Sequence, residues 1–124
     1  MLLDSNIIIY AVQPEYKKLL DFLSIQEDIV VSIITKIEVL GFYRLEDFEK
    51  ENLGLFFDAI PTLKLSDEIA DEAVRLRQIK KMTLGDSMIA ATAICKNIPL
   101  LTNNTEDFKH INELKIIALS EVIA

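Results

Sequence analysis

Cysteine, proline and glycine are scarce in this chain of 124 residues, which has one, three and three of them. A lone Cys95 excludes an internal disulfide framework and suits a reducing compartment, so a cytoplasmic location is expected. So few chain breakers leave no linker, low-complexity stretch or internal repeat, and residues 1–124 are expected to form one domain around one core. No apolar run approaches the roughly 20 residues that span a bilayer, so no membrane partner is expected. The opening Met1-Leu2-Leu3-Asp4 also lacks the basic start and small-residue cleavage site of a signal peptide. Basic residues are outnumbered, 13 against 20 acidic, for a net charge of −7. That excludes a protein gripping nucleic acid over its whole surface, but not one whose positive field is local to bound metal. There is no glycine-rich phosphate loop and no Cys/His zinc spacing. The single histidine, His110, lies beside Lys109 and is expected to face solvent, and Cys95 reads as a small core residue.

What the chain does have is an apolar fraction of 51%, arranged as short runs between helical patterns. Leu2-Leu3 reads as a buried strand, followed by a helix from about Ile7 to Ala11. Pro14 suits the first turn of a second helix through Ser24. Ile29 to Val31 is a β-branched strand, after which Ser32 caps a helix expected to reach Leu45, with another from Glu46 to Ala59. Pro61-Thr62-Leu63 reads as a strand, and Ser66-Asp67-Glu68 starts a helix to Ile79. A loop from Lys80 to Gly85 leads to Asp86, expected to open the apolar helix that stops near Asn97 with Pro99 beyond it. Leu100-Leu101-Thr102 and Ile116-Ile117-Ala118 are the last strands. This alternation predicts an α/β fold: a short parallel central sheet flanked by helices on both faces. Ligands of such sheets bind beyond the carboxyl ends of the strands, where Asp4 and Thr102 to Asn104 fall.

Three acids sit beside apolar segments: Asp4, Glu38 and Asp86. If the fold gathers them, the like charges call for a divalent cation, and carboxylate-held Mg²⁺ or Mn²⁺ is common equipment for breaking phosphodiester bonds. Each acid also has a plain structural reading. Asp4 suits a helix cap, and Asp86 suits a helix start where the macrodipole favours negative charge. Glu38 is either an exposed residue beside Lys36 or a carboxylate on a largely non-ionic stripe with Thr35, Phe42 and Leu45. In that second reading Ile33, Ile34, Ile37 and Gly41 form the apolar face of its helix. Asn104, with Asp107 three residues on, reads either as a cap or as a further member of the acidic group.

Four blocks, in order, resemble the PIN domain family, and within it the VapC-type toxin ribonucleases. They are Leu2-Leu3-Asp4-Ser5-Asn6-Ile7-Ile8-Ile9-Tyr10, Ser32 to Glu38, Gly85 to Ala93, and Pro99 to Phe108. The resemblance spans nearly the whole chain. It implies a metal-dependent endoribonuclease using Mg²⁺, with Mn²⁺ as the alternative, and Asp4, Glu38 and Asp86 as catalytic metal ligands. Asn104 stands where many members of the family carry a fourth acid, so a second metal position would be weaker, with Asp107 compensating through water. Ser5, Asn6, Thr35 and Thr102 are expected to orient the ligands by hydrogen bonds. Lys80, Lys81, Arg75 and Arg77 are expected to meet the RNA backbone, or else to complement a helix end.

The resemblance also implies an antitoxin partner. Of nine aromatic residues, Phe42, Tyr43, Phe48, Phe56 and Phe57 cluster in one stretch, which predicts either an interaction surface (a homodimer seam or an antitoxin groove) or the core of a helical hairpin. Two other functional classes compete. One is a non-catalytic PIN-like module that only docks a partner. The other is a phosphotransfer receiver, disfavoured because Leu63 is followed by Lys64 rather than by a phosphorylatable aspartate.

Overall fold

The computed structural model describes residues 1–123, in which strands and helices alternate. They run β1 (Leu2–Leu3), α1 (Ser5–Ala11), a 3₁₀ turn at Pro14–Tyr16 leading into α2 (Lys17–Ser24), β2 (Val31–Ser32), α3 (Ile33–Leu40) and α4 (Asp47–Asp58). The second half runs β3 (Thr62–Leu63), α5 (Asp67–Ile79), α6 (Leu84–Lys96), β4 (Leu100–Thr102), a 3₁₀ turn at Thr105–Asp107, β5 (Ile116–Ala118) and α7 (Leu119–Val122).

All strand pairings are parallel: β1 with β4, β4 with β5, and β2 with β3. A single bridge, Leu2 to Val30, joins the two sheets, with Leu3 N donating to Val30 O at 3.1 Å and Val30 N to Met1 O at 3.0 Å. The strand order is therefore β3-β2-β1-β4-β5, and the winding direction reverses between β1 and β4. That reversal opens a crevice at the carboxyl ends of these two strands. The order also differs from the 2-1-3-4-5 arrangement of receiver modules, which sets that rival aside.

Adjacent strand residues face opposite layers, and the core divides accordingly. Leu2 and Leu100 pack with α5, α6, Phe108 and Leu114, whereas Leu3 and Leu101 pack with α1, α2, Val39, Leu53 and Phe57. Burial on both faces explains why these strands read as continuous apolar pairs rather than as an alternating pattern.

Several element boundaries differ from those expected. Helix α3 stops at Leu40, not Leu45, because the Gly41 N–H closes the last turn onto Ile37 O and the chain turns out through residues 41–46. The helix after Pro14 begins as a 3₁₀ turn. Helix α6 opens at Leu84, capped by Thr83, whose Oγ1 accepts from Asp86 N at 3.1 Å. Asp86 thus lies inside the first turn, not at its mouth. At the far end of α6, Asn97 takes a left-handed conformation (φ 53°), one of the few settings where asparagine rivals glycine.

Candidate active site

Asp4 follows β1 directly and is bent into the crevice by its role at the start of α1. Its Oδ1 accepts from Ser5 N at 2.8 Å, so the capping and site readings describe one side chain. Its Oδ2 accepts from the Thr102 hydroxyl at 2.7 Å, across the β1–β4 gap. Thr102 Oγ1 in turn accepts from Asn104 N at 2.9 Å, so the end of β4 and the loop after it both orient Asp4. The residue is only 5% exposed. Burial is the main cause raising its carboxyl pKa above the ordinary value, the two hydrogen bonds pull it back, and the charge of Asp107 adds to the rise.

Asp86 is half-buried on the other side of the crevice. Burial is again the main cause of its raised pKa, followed by the charge of Asp4, with Asp107 and Glu38 adding smaller repulsions; hydrogen bonding with Thr83 opposes the shift. Mutual repulsion therefore ties four acids from four segments into one electrostatic group. Among the described residues, no lysine or arginine forms an ion pair with any of these four.

Glu38 projects from the exposed side of α3. The expected apolar face of that helix is corrected: Thr35 and Val39 are buried, whereas Ile37 is 61% exposed and Gly41 faces solvent. Glu38 Oε1 accepts from the Ser5 hydroxyl at 3.2 Å. Thr35 is fully buried, and its hydroxyl has no hydrogen-bond partner among the described residues, so it does not reach Glu38. The Asn6 side chain is half-buried and makes no hydrogen bond among them.

Asn104 begins the 3₁₀ turn after β4 without capping it through its side chain. Asp107, at the end of that turn, is the residue whose charge reaches both Asp4 and Asp86. Lys80 and Lys81 rim an open cleft of about 400 Å³ with Thr83, Asp86, Asp107 and His110. Arg75 is instead held by Glu72 and Glu113 on the outer side of α5, and Arg77 Nε donates to Met82 O. The expectation that His110 faces solvent is corrected. It is half-buried beside the cleft, and both ring nitrogens are enclosed without a partner among the described residues. Cys95 is likewise only partly buried, at the edge of the α5–α6 core.

The donor set is all oxygen, which suits a hard divalent ion. Among the described residues, no three His, Cys, Asp or Glu side chains close into a ligand cage. Mg²⁺ often keeps much of its water shell and takes only one or two carboxylates directly, so it does not require such a cage.

A doubly wound α/β domain with an acidic group at its switch point is the class that fold and site define. Residues 1–114 match the sequence model of the family described as PIN domain, and the chain belongs to that family. A 42-residue stretch is 50% identical to "Ribonuclease VapC" of Rickettsia bellii, covering 32% of this chain and 31% of that relative. Among solved structures, a toxin–antitoxin complex from Klebsiella pneumoniae superposes with a TM-score of 0.77 at 27% identity, covering 94% of both chains. VapBC2 from Rickettsia felis, bound to a promoter DNA fragment, gives 0.77 at 25% identity, covering 94% of this chain and 96% of that one. VapBC from Salmonella typhimurium gives 0.79 at 21% identity with the same coverage, a likeness of fold alone. No helix among the described residues is long and apolar enough to cross a membrane.

Proposed function

We propose that the chain is a metal-dependent endoribonuclease, hydrolysing RNA phosphodiester bonds as the toxin of a toxin–antitoxin pair in the cytoplasm. The observation that carries this reading is the convergence of Asp4 and Asp86 at the β1–β4 switch point, where the charge of Asp4 raises the proton affinity of Asp86 within an acidic group that has no ion-paired basic partner among the described residues. The likeness to a Rickettsia bellii ribonuclease and to a Klebsiella pneumoniae toxin–antitoxin complex supports the activity and the setting.

In this reading Asp4 and Asp86 would hold Mg²⁺ or Mn²⁺, with Glu38 and Asp107 as the further oxygen donors that could assist. When bound, the ion lowers the pKa of a water and offsets charge at the scissile phosphate. The chain's own residues do the positioning. Thr102 and Ser5 N fix the Asp4 carboxylate, the Ser5 hydroxyl steadies Glu38, and Thr83 sets the turn that presents Asp86. Lys80 and Lys81, on the cleft rim, meet phosphates of the RNA strand flanking the reacting bond. Their local positive charge supplies what a net charge of −7 does not.

Phe42, Tyr43 and Phe48 are 52%, 81% and 62% exposed, whereas Phe57 is buried. Phe42 and Phe48 line an apolar groove of about 580 Å³ with Ile9, Val12, Leu45 and Leu53, and Glu38 lies at its edge. This groove takes an amphipathic segment of the antitoxin or the matching face of a second copy.

The test compares Asp86→Asn with the parent in Mg²⁺-dependent cleavage of structured RNA. Loss of at least about 100-fold is expected, since even residues that only support metal ligands are worth 10–100-fold. Equal rates would reject the nuclease reading. The lack of a three-residue ligand cage among the described residues and the neutral Asn104 support a second reading, a PIN shell that only docks a partner. Absence of any stabilisation by Mg²⁺ or Mn²⁺ would favour that one.

A further inference from the structure

Gly85 occupies the second position of α6, between Leu84 and Asp86. Its backbone does not require glycine, because no glycine in the chain has a positive φ. Glycine within a helix is less favourable than alanine there, so its presence calls for another reason. A Cβ built on Gly85 would lie 2.8 Å from Glu38 Oε2, 3.3 Å from Glu38 Cδ and 3.4 Å from Glu38 Oε1. The three nearest atoms all belong to one carboxyl group, which rests on the bare backbone of α6. The opposite edge of that carboxyl group meets the Ser5 hydroxyl at 3.2 Å. Glu38 is otherwise exposed and belongs to a flexible type of side chain, and these two contacts hold it over the start of α6, where the helix dipole favours negative charge.

We propose that Gly85 is a positioning residue: the space left by its missing side chain seats the Glu38 carboxylate beside Asp86, so that acids from α3 and α6 face one cation. The inference rests on the metal-site reading above and adds a residue that has no functional group of its own. A methyl group at position 85 would meet the far end of a flexible side chain rather than backbone. The carboxylate would swing away while the fold stays intact. Weaker metal binding would then coincide with a helix of better intrinsic propensity, a combination that a merely structural glycine does not produce.

Calorimetric titration with Mn²⁺ at fixed neutral pH, on Gly85→Ala, Glu38→Gln and the double variant, tests this. In EDTA, Gly85→Ala is expected to melt at or above the parent temperature. Its Mn²⁺ affinity should fall about tenfold, the low end for residues that support a metal ligand. Glu38→Gln in the Gly85→Ala background should change affinity by no more than about twofold, because the two act through the same carboxylate. Shortening that side chain in the double variant Gly85→Ala/Glu38→Asp should recover part of the loss. Parent-like Mn²⁺ affinity in Gly85→Ala, with weakened affinity in Glu38→Gln, would overturn the role of Gly85 and leave the metal site standing. Parent-like affinity in Glu38→Gln itself would remove Glu38 from the site. If Gly85→Ala unfolds even when Glu38 is also replaced by alanine, the glycine serves helix packing and the proposal fails.

Discussion

At the scale of single residues, Asp4 serves two purposes through one carboxylate. It caps α1 through Ser5 N and, held by Thr102, faces the crevice with its charge. Burial makes that charge unfavourable in the metal-free fold. Because the folded pKa lies above the ordinary carboxyl value, the native state binds this proton more tightly than the unfolded chain does. The stability Asp4 contributes is therefore complete below the unfolded pKa and is lost as pH rises through the raised folded value. Asp4→Asn keeps a good cap and removes the buried charge. In EDTA, urea midpoints for the variant are expected to exceed the parent's at neutral pH and to converge with them toward about pH 4, near the ordinary carboxyl value. Lower midpoints at neutral pH would show the carboxylate to be stabilising in the absence of metal. Asp4 and Asp86 were legible in the sequence because each adjoins an apolar segment. The contribution of Gly85 was not, because a glycine next to an aspartate signals a turn and says nothing of a glutamate 47 positions earlier.

At the scale of elements, most starts were legible and several ends were not. Ser32 and Ser66 cap α3 and α5 through Ile34 N and Ile69 N, as their place before helical patterns suggests. The start of α6 was readable too, since Thr83 and Asp86 have capping-box spacing, but the apolar run after Asp86 drew the boundary two residues too late. Helix α3 ends early because Gly41 closes its last turn, although Phe42 and Leu45 extend the apolar pattern into the loop that follows. That early end turns Phe42 and Tyr43 outward and leaves the α3–α4 connection with exposed aromatic residues rather than core. Phe48→Glu is expected to leave the melting temperature within a few degrees of the parent, since the side chain is largely exposed. It should also abolish binding of an antitoxin's amphipathic segment or self-association, whichever sedimentation detects in the parent. A parent that sediments as a monomer and ignores the antitoxin would show the aromatic surface to be unused.

At the scale of the whole molecule, function follows from strand order. The chain adds β2 and β3 on one side of β1, then returns to add β4 and β5 on the other. Asp4 and Thr102, 98 residues apart, thereby become hydrogen-bonded neighbours. Short parallel strands and helical layers were legible from apolar pairs and caps, whereas strand order depends on long-range pairing that local pattern does not encode. Acids from the end of β1, α3, α6 and the turn after β4 come within electrostatic range through that order, and their repulsion is the physical reason to expect a cation. Crystals soaked in Mn²⁺ and measured for anomalous scattering test this most directly. A peak within about 2.5 Å of carboxylate oxygens of both Asp4 and Asp86, and absent in Asp86→Asn crystals, is the expected result. Manganese bound only elsewhere, or no peak at the β1–β4 crevice at saturating Mn²⁺, would contradict it.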